Sequence, residues 1–371
     1  MTRYERDDLV RLARRVHNTK RTYLLVDPLQ GKHMPVSPGA ALAMMGALGE
    51  KLAAERPGID LVIGFAETAT AVAAAAANGL GRPCRYIHTT REPGDGGAEI
   101  EFREEHSHAV EQRLRLSKLR RWIDEASAVA LVDDELSTGR TMVNAILKLG
   151  EACPALREKP VTVASLISRL GPGPLPGLEG WDIRFVSLLH LPMEDCTAAV
   201  SRYAIEAAGA PMGEDLPYDE LTLPVHGMDA RDGVPLPDWA GALASAADLL
   251  LKDGPRGSVT VLGTEEYMLP GLILGARLEA SGLAARVRFH ATTRSPIGIC
   301  RDAGYPIRAG WRLRSFYDAE RVTYIYDLEP CDEAIVLTDS RNDGAVRAAM
   351  EDLTRALRQA GCGKVTLIRE G

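Results

Sequence analysis

A chain of 371 residues exceeds the size of one small domain, so two units, each able to bury a core, are expected. Its composition is 46% hydrophobic, 26% charged and only 5% aromatic, that of a globular protein with few rings for serial base stacking. The formal net charge of −7 argues against nonspecific attraction to nucleic acid or an anionic membrane, and the basic cluster from Arg113 to Arg121 reads as a solvated helix face.

In chain order, the charged start "MTRYERDDLVRLARRVHNTK" predicts a helix and lacks the apolar core of a signal peptide. No later run reaches membrane-spanning length. "RTYLLVDP" predicts a strand, and "LQGKHMPVSPGAALAMMGALGEKLAAE" a Gly/Pro-bearing loop entering a helix. "IDLVIGFAETATAVAAAAANGL" gives strand, tight loop and Ala-rich helix. "CRYIHTTR" gives another strand, and the glycines and charges of residues 92–109 suggest a long mobile loop. "VALVDDEL" supplies the next strand, followed by its helix, then by the strands "VTVASLIS" and "IRFVSLLHL". Alternation of this kind implies an α/β fold with a parallel sheet flanked by helices and ligands at the carboxyl ends of the strands. Six cysteines, at 84, 153, 196, 300, 331 and 362, form no CxxC pair and no zinc-spaced cluster, so they read as reduced thiols of a cytoplasmic protein.

The chemistry concentrates where "VALVDD" meets "ELSTGRT". A buried strand gains nothing from ending in Asp133, Asp134 and Glu135, because adjacent carboxylates repel and resist burial. The turn Ser137-Thr138-Gly139-Arg140-Thr141 offers hydroxyls and backbone N–H groups at a helix N-terminus, an anion site, while the aspartates can accept from vicinal sugar hydroxyls. A sugar phosphate satisfies both. Neither a Walker loop nor a Rossmann fingerprint occurs in that context, and a Ca²⁺ loop or a capped helix start is the bland alternative.

On these residues the chain resembles the type I phosphoribosyltransferases, whose hallmark is an acidic pair in such a stretch. The resemblance implies binding of 5-phosphoribosyl 1-diphosphate (PRPP), with Asp133 and Asp134 on the ribose hydroxyls, Mg²⁺ nearby, and Ser137 to Thr141 around the 5'-phosphate. It puts the pyrophosphate loop at Ala66, Glu67, Thr68 and Ala69, with Arg91 beside it and Glu67 also a candidate in catalysis. The loop at 92–109 falls at the family's catalytic loop, which makes Arg103, His106 and His108 candidates for closing over pyrophosphate or moving a proton. Lys32 is expected on the pyrophosphate side, and His33, Arg169, Trp181 and Phe185 around the acceptor. Ser137 stands where purine-salvage members usually carry an aspartate, so a purine acceptor is disfavoured. The expected reaction moves the 5-phosphoribosyl group to a nitrogenous acceptor and releases pyrophosphate, in a cytoplasmic homodimer. A PRPP- or nucleotide-sensing regulator is the alternative, and a two-domain PRPP synthetase ranks behind both.

The stretch "TTRSP" at 292–296, with Gly31-Lys32-His33, "GFAET" and "EEHSHA", is similar to the subgroup that carries a C-terminal TRSP domain and is associated with tellurite-resistance and stress gene clusters. Residues 1–208 are expected to form the phosphoribosyltransferase domain, 209–240 a linker, and 241–371 a TRSP domain that is a degenerate repeat of the first. The repeat pairs Gly64 with Gly263, Glu67 with Glu266, and Thr90-Arg91 with Thr293-Arg294. Downstream, Asp339 stands near the place of the acidic pair, and the S-T-G-R-T turn is absent.

Overall fold

The computed structural model describes residues 3–16, 21–94, 96–103, 110–173, 175–250 and 256–371. A short helix α1 (Arg6–Leu9) and an antiparallel pair, β1 (Arg11–Arg14) and β2 (Tyr23–Val26), precede helix α2 (Pro38–Glu55). Then come β3 (Ile59–Gly64), α3 (Thr70–Gly79), β4 (Arg85–His88), β5 (Glu99–Arg103), β6 (Val110–Arg115), α4 (Leu119–Glu125), β7 (Ala128–Leu136), α5 (Arg140–Ala152), β8 (Val161–Ser168) and β9 (Ile183–His190). The rest of the chain supplies α6 (Thr197–Ser201), β10 (Tyr218–Leu223), β11 (Val234–Pro235), α7 (Leu236–Leu250), β12 (Arg256–Gly263), α8 (Leu269–Ser281) and β13 (Ala284–Ala291). It ends with β14 (Gly310–Arg314), β15 (Val322–Tyr326), β16 (Glu333–Thr338), α9 (Asp343–Gln359) and β17 (Lys364–Glu370).

These elements form two compact units whose boundaries differ from the expected ones. The first draws on Met1–Glu5, Ala43–Met193 and Gly227–Gly241; the second on Arg6–Leu42, Glu194–His226 and Ala242–Gly371. The stretch expected as a linker divides between them: β11 adds antiparallel to β4, and β10 pairs parallel with β17. Its Pro and Gly content masked "YDELTL", six residues of extended, alternating sequence that extend a sheet edge.

The first unit is an α/β layer with strand order β11-β4-β3-β7-β8-β9, parallel except for β11. Strands β7 and β8 are apolar and buried through their first halves, as strands covered on both faces require. Helix α3 is buried from Thr70 through Ala77, and its run of alanines lets neighbours approach closely. A Cβ placed on Gly49 of α2 would lie 2.0 Å from the Ala76 carbonyl oxygen, and one on Gly79 would lie 2.4 Å from that of Gly46.

Residues 92–109 are not one long loop. Strands β5 and β6 make an antiparallel hairpin, with Ile100 opposite Leu114 and both buried in the core around Trp122 and Leu131. The alternation in "EIEFR" and "VEQRLR" carries it, and Arg113 pairs across strands with Glu99 at 2.8 Å, so that part of the basic cluster is a strand and not a helix face. The tip, 104–109, lies outside the described residues.

The second unit contains the order β13-β12-β16-β17-β10, all parallel. Read against β4-β3-β7-β8-β9 it places equivalent strands at equivalent positions. Gly64 faces His88 and Val132, and Gly263 faces Ala291 and Leu337. The hairpin recurs too: Thr90 bridges to Arg113 of β6, and Thr293 to Tyr324 of β15. One strand breaks the parallel, because β10 precedes its sheet in sequence whereas β9 follows.

Alanine exceeds glycine in helix propensity by ~1 kcal/mol, so a neutral Gly49→Ala change in α2 would stabilise. The contact with Ala76 predicts instead a net loss of about 1–3 kcal/mol. Chemical denaturation of the variant measures the sign directly.

Candidate active site

Two loops meet at the carboxyl end of the first sheet. After β3 the chain turns through Phe65–Ala69 into α3; after β7 it turns through 137–139 into α5. The Thr68 hydroxyl donates to Asp134 Oδ1 at 2.9 Å and joins the two. The Ala66 N–H donates to Thr89 Oγ1 at 2.8 Å, and the Thr89 hydroxyl donates to Gln112 Oε1 at 2.5 Å, so the first loop is also tied to the hairpin. The rings of Phe65 and Phe102, 6.3 Å apart, add an apolar contact between loop and hairpin. Glu67 is buried here, and the peptide before it is cis. Gly64 must be glycine for this turn: a Cβ would meet Ala73 Cβ at 2.7 Å.

The acidic stretch lies at the end of β7 with Asp133 opposite Ser165 of β8. The Asp134 N–H donates to Asp133 Oδ1 at 2.9 Å. Burial, and next the charge of Asp134, push the Asp133 carboxyl well above its ordinary value. Gly139, at φ +76, caps the start of α5, and the Val143 N–H donates to its carbonyl at 2.9 Å. A Cβ there would lie 2.7 Å from Leu175 Cδ1, so both conformation and space call for glycine. Thr138, Arg140 and Thr141 are exposed and Ser137 partly so, which leaves this helix start open to an anion.

Among the described residues no group of three or more His, Cys, Asp or Glu could hold a metal ion. The donor set that remains, two adjacent carboxylates, fits Mg²⁺ completed by ligand oxygens and water rather than an all-protein cage.

Other expected residues fall elsewhere. Arg91 follows Thr90 just beyond β4. Arg103 ends β5, and His106 and His108 lie outside the described residues. Arg169 is buried beside Glu135, Nη1 to Oε1 3.8 Å, at the carboxyl ends of β7 and β8, as an internal partner of the acidic stretch. Trp181 is misplaced for an acceptor residue. It precedes β9, whose Ile183 is level with Val161 and hence with Val129, at the amino end of the sheet. Six residues at ~3.3 Å each put it roughly 20 Å down the strand direction from Asp133. There it packs on Gly150 and under Arg157, whose guanidinium is 5.2 Å from the ring centroid. Phe185 projects, 37% exposed, from the edge strand β9, two strands away from β7. The sequence shows a hydrophobic residue after a strand but not which end of the sheet it reaches.

Lys32 and His33 belong to the second unit. Lys32 is fully buried and its Nζ donates to the Glu265 carbonyl at 2.6 Å. Gly31, at φ +75, lies where a Cβ would meet Phe289 Cδ1 at 2.5 Å. Glu265 stands in the second unit where Ala66 stands in the first: its N–H donates to Thr292 Oγ1 at 2.9 Å, as Ala66 does to Thr89. Its carboxylate takes Arg294 Nε at 2.8 Å and the Ser315 hydroxyl at 2.5 Å, with Arg321 at 3.6 Å. Arg294 of the "TTRSP" stretch thus binds an anion that the chain supplies. The register places Thr338 level with Asp133 and Asp339 with Asp134, and Asp339 accepts from the Tyr317 hydroxyl at 2.5 Å. The second unit therefore has a single acid at these two positions. Gln112, Thr89 and this internal carboxylate were not singled out by motif, because their roles depend on the hairpin.

The strand order and the acidic pair beside an N-terminal helix turn define a phosphoribosyltransferase-type domain. Residues 9–174 match the family model described as phosphoribosyl transferase, and 226–357 match that of the TRSP domain C-terminal to it. The chain thus carries a phosphoribosyl transferase domain followed by a TRSP domain. Solved structures similar to it include adenine phosphoribosyl transferase from Trypanosoma brucei, in complex with AMP, pyrophosphate and ribose-5-phosphate. It is 16% identical with a TM-score of 0.34, over 52% of this chain and 78% of that one. Orotate phosphoribosyltransferase from Aeropyrum pernix is 19% identical with a TM-score of 0.31, over 48% and 88%. No curated protein matches the chain.

Because the Asp133 value is raised on folding, the folded chain keeps a proton that the unfolded chain gives up above about pH 4. Stability falls as pH rises through that window and the penalty stays in place above it. Asp133→Asn should therefore raise the melting temperature of the ligand-free protein at pH 7.5. The gain should vanish near pH 4, as calorimetry across pH will show.

Proposed function

We propose that the first unit transfers the 5-phosphoribosyl group of PRPP to a nitrogenous, base-like acceptor and releases pyrophosphate. The observation that carries this is the 2.9 Å bond between Thr68 and Asp134. It brings a loop suited to a diphosphate against carboxylates suited to vicinal hydroxyls, the two ends of one ligand. In this reading Asp133 and Asp134 accept from the ribose hydroxyls, and the N-terminus of α5 with Ser137, Thr138, Gly139, Arg140 and Thr141 takes the 5'-phosphate. Ala66, Glu67, Thr68 and Ala69, with Arg91, hold the diphosphate.

Transfer breaks the anomeric C–O bond through an oxocarbenium-like state, so the chain must hold the leaving diphosphate, exclude water and align the acceptor nitrogen. Mg²⁺, when bound through Asp133, Asp134 and ligand oxygens, would offset charge on the diphosphate. Arg103, His106 and His108, at and beyond the end of β5, are proposed to close over it. The second unit supports that assignment. There Ser315 and Arg321, beyond β14 in the equivalent hairpin, close on Glu265 in the equivalent loop. The first unit leaves Ala66 at that place, with no carboxylate of its own, and so keeps room for the ligand's anion.

Incubation with PRPP, Mg²⁺ and a pooled metabolite extract tests the reading by pyrophosphate release and mass spectrometry. Wild type should yield a product heavier by a phosphoribosyl group, and the Asp133→Asn/Asp134→Asn variant should lose at least a hundredfold in rate. PRPP binding with no product from any extract would favour a PRPP- or nucleotide-sensing role instead.

A further inference from the structure

The second unit buries two thiols against each other. Cys331 precedes β16 and Cys362 precedes β17, and these strands pair in parallel with Glu333 opposite Lys364. Two residues earlier the same register brings the cysteines level. The Gly363 N–H donates to the Cys331 carbonyl at 3.0 Å and the Lys364 N–H to that of Asp332 at 3.0 Å, which holds the backbones in place. The two Sγ atoms are 3.1 Å apart, about 1 Å longer than the ~2.05 Å of a disulfide. Ala334, Leu357 and Val365 share their cluster, Thr260 hydrogen-bonds to Cys331, and the Cys362 thiol donates to the Lys364 carbonyl at 3.3 Å. Each cysteine is 6% exposed, and Cys362 is flanked by the exposed glycines Gly361 and Gly363, which carry no side chain to shield it.

The two sulfurs are also unequal. The Cys362 contact holds the Cys331 thiol below its ordinary value, while the same contact and burial push Cys362 up. Burial pushes Cys84 up to about 12 and raises Cys153. An attacking sulfur beside a second that can resolve it is the arrangement that dithiol oxidation needs.

We propose that Cys331 and Cys362 are a modification site for peroxides, closing to a disulfide within the second unit. The Cys331 thiolate attacks one peroxide oxygen and the O–O bond breaks, leaving a sulfenic acid on Cys331 and, after protonation, one water. The Cys362 sulfur then attacks Cys331 Sγ; the S–S bond forms, and the sulfenic oxygen leaves as a second water with the Cys362 proton. Two thiols and one hydrogen peroxide thus become one disulfide and two waters, the two electrons passing from sulfur to peroxide. The bond ties together the amino ends of β16 and β17 and closes a loop that contains β16 and α9, so the oxidised unit resists unfolding more than the reduced one.

The test treats the full chain with one equivalent of hydrogen peroxide, alkylates the remaining thiols and maps tryptic peptides. Residues 322–341 and 359–364, which carry Cys331 and Cys362, should appear as one cross-linked species that dithiothreitol separates. The oxidised chain should melt higher, and a dimedone probe should label Cys331 in a Cys362→Ser variant without labelling Cys362 in Cys331→Ser. Recovery of both peptides alkylated and unlinked, or linkage of either to another cysteine or another chain, would overturn the proposal.

Discussion

Two carboxylates side by side at the end of a buried strand are the constraint on which the first unit turns. Strand β7 is apolar as far as Val132 and then presents Asp133, Asp134 and Glu135. Desolvation and mutual repulsion oppose both charges, and the fold answers with Thr68 on Asp134, a backbone N–H on Asp133 and Arg169 beside Glu135. In the proposed reading a ligand with hydroxyls and phosphate would offset that cost, so that stability given up at the site becomes binding.

The second unit shows the same architecture. Its loop after β12 carries Glu265 in place of Ala66, and Arg294, Arg321 and Ser315 gather on that carboxylate as a phosphate-binding loop would gather on its ligand. Thr338 replaces one acid, and Tyr317 caps the other. A buried carboxylate with arginine and hydroxyl partners is costly to break, so this end of the sheet is held shut by its own residues. Two copies of one arrangement, one open and one filled from within, account for why the "TTRSP" arginine and the buried Lys32 serve packing rather than the acidic pair.

Much of this was legible in the residues and some was not. The acidic stretch, the STGRT turn and the GFAET loop could be read locally, because each is a short strand-loop-helix transition whose chemistry sits within a few residues. The equivalence of Gly64 with Gly263 was legible for the same reason, and the sheet registers carry it through. Placement over distance was not. Trp181 looked available to an acceptor until the parallel register put it at the amino end of β9. Lys32 and His33 precede the first sheet in sequence yet pack in the second unit, and Tyr218–Leu223 joins that unit's sheet from within a Pro-rich stretch. The β5–β6 hairpin was obscured by its glycines and charges, although Ile100, Phe102 and Leu114 alternate as a buried face requires.

Hydrogen exchange on the full chain, with and without PRPP and Mg²⁺, tests most directly whether one ligand spans both loops of the first unit. The account predicts that amides of 65–69 and of 137–141 gain protection together and at the same ligand concentration, while 264–266 in the second unit stay unchanged. Protection confined to 264–266, or to one of the first unit's two loops, would contradict it.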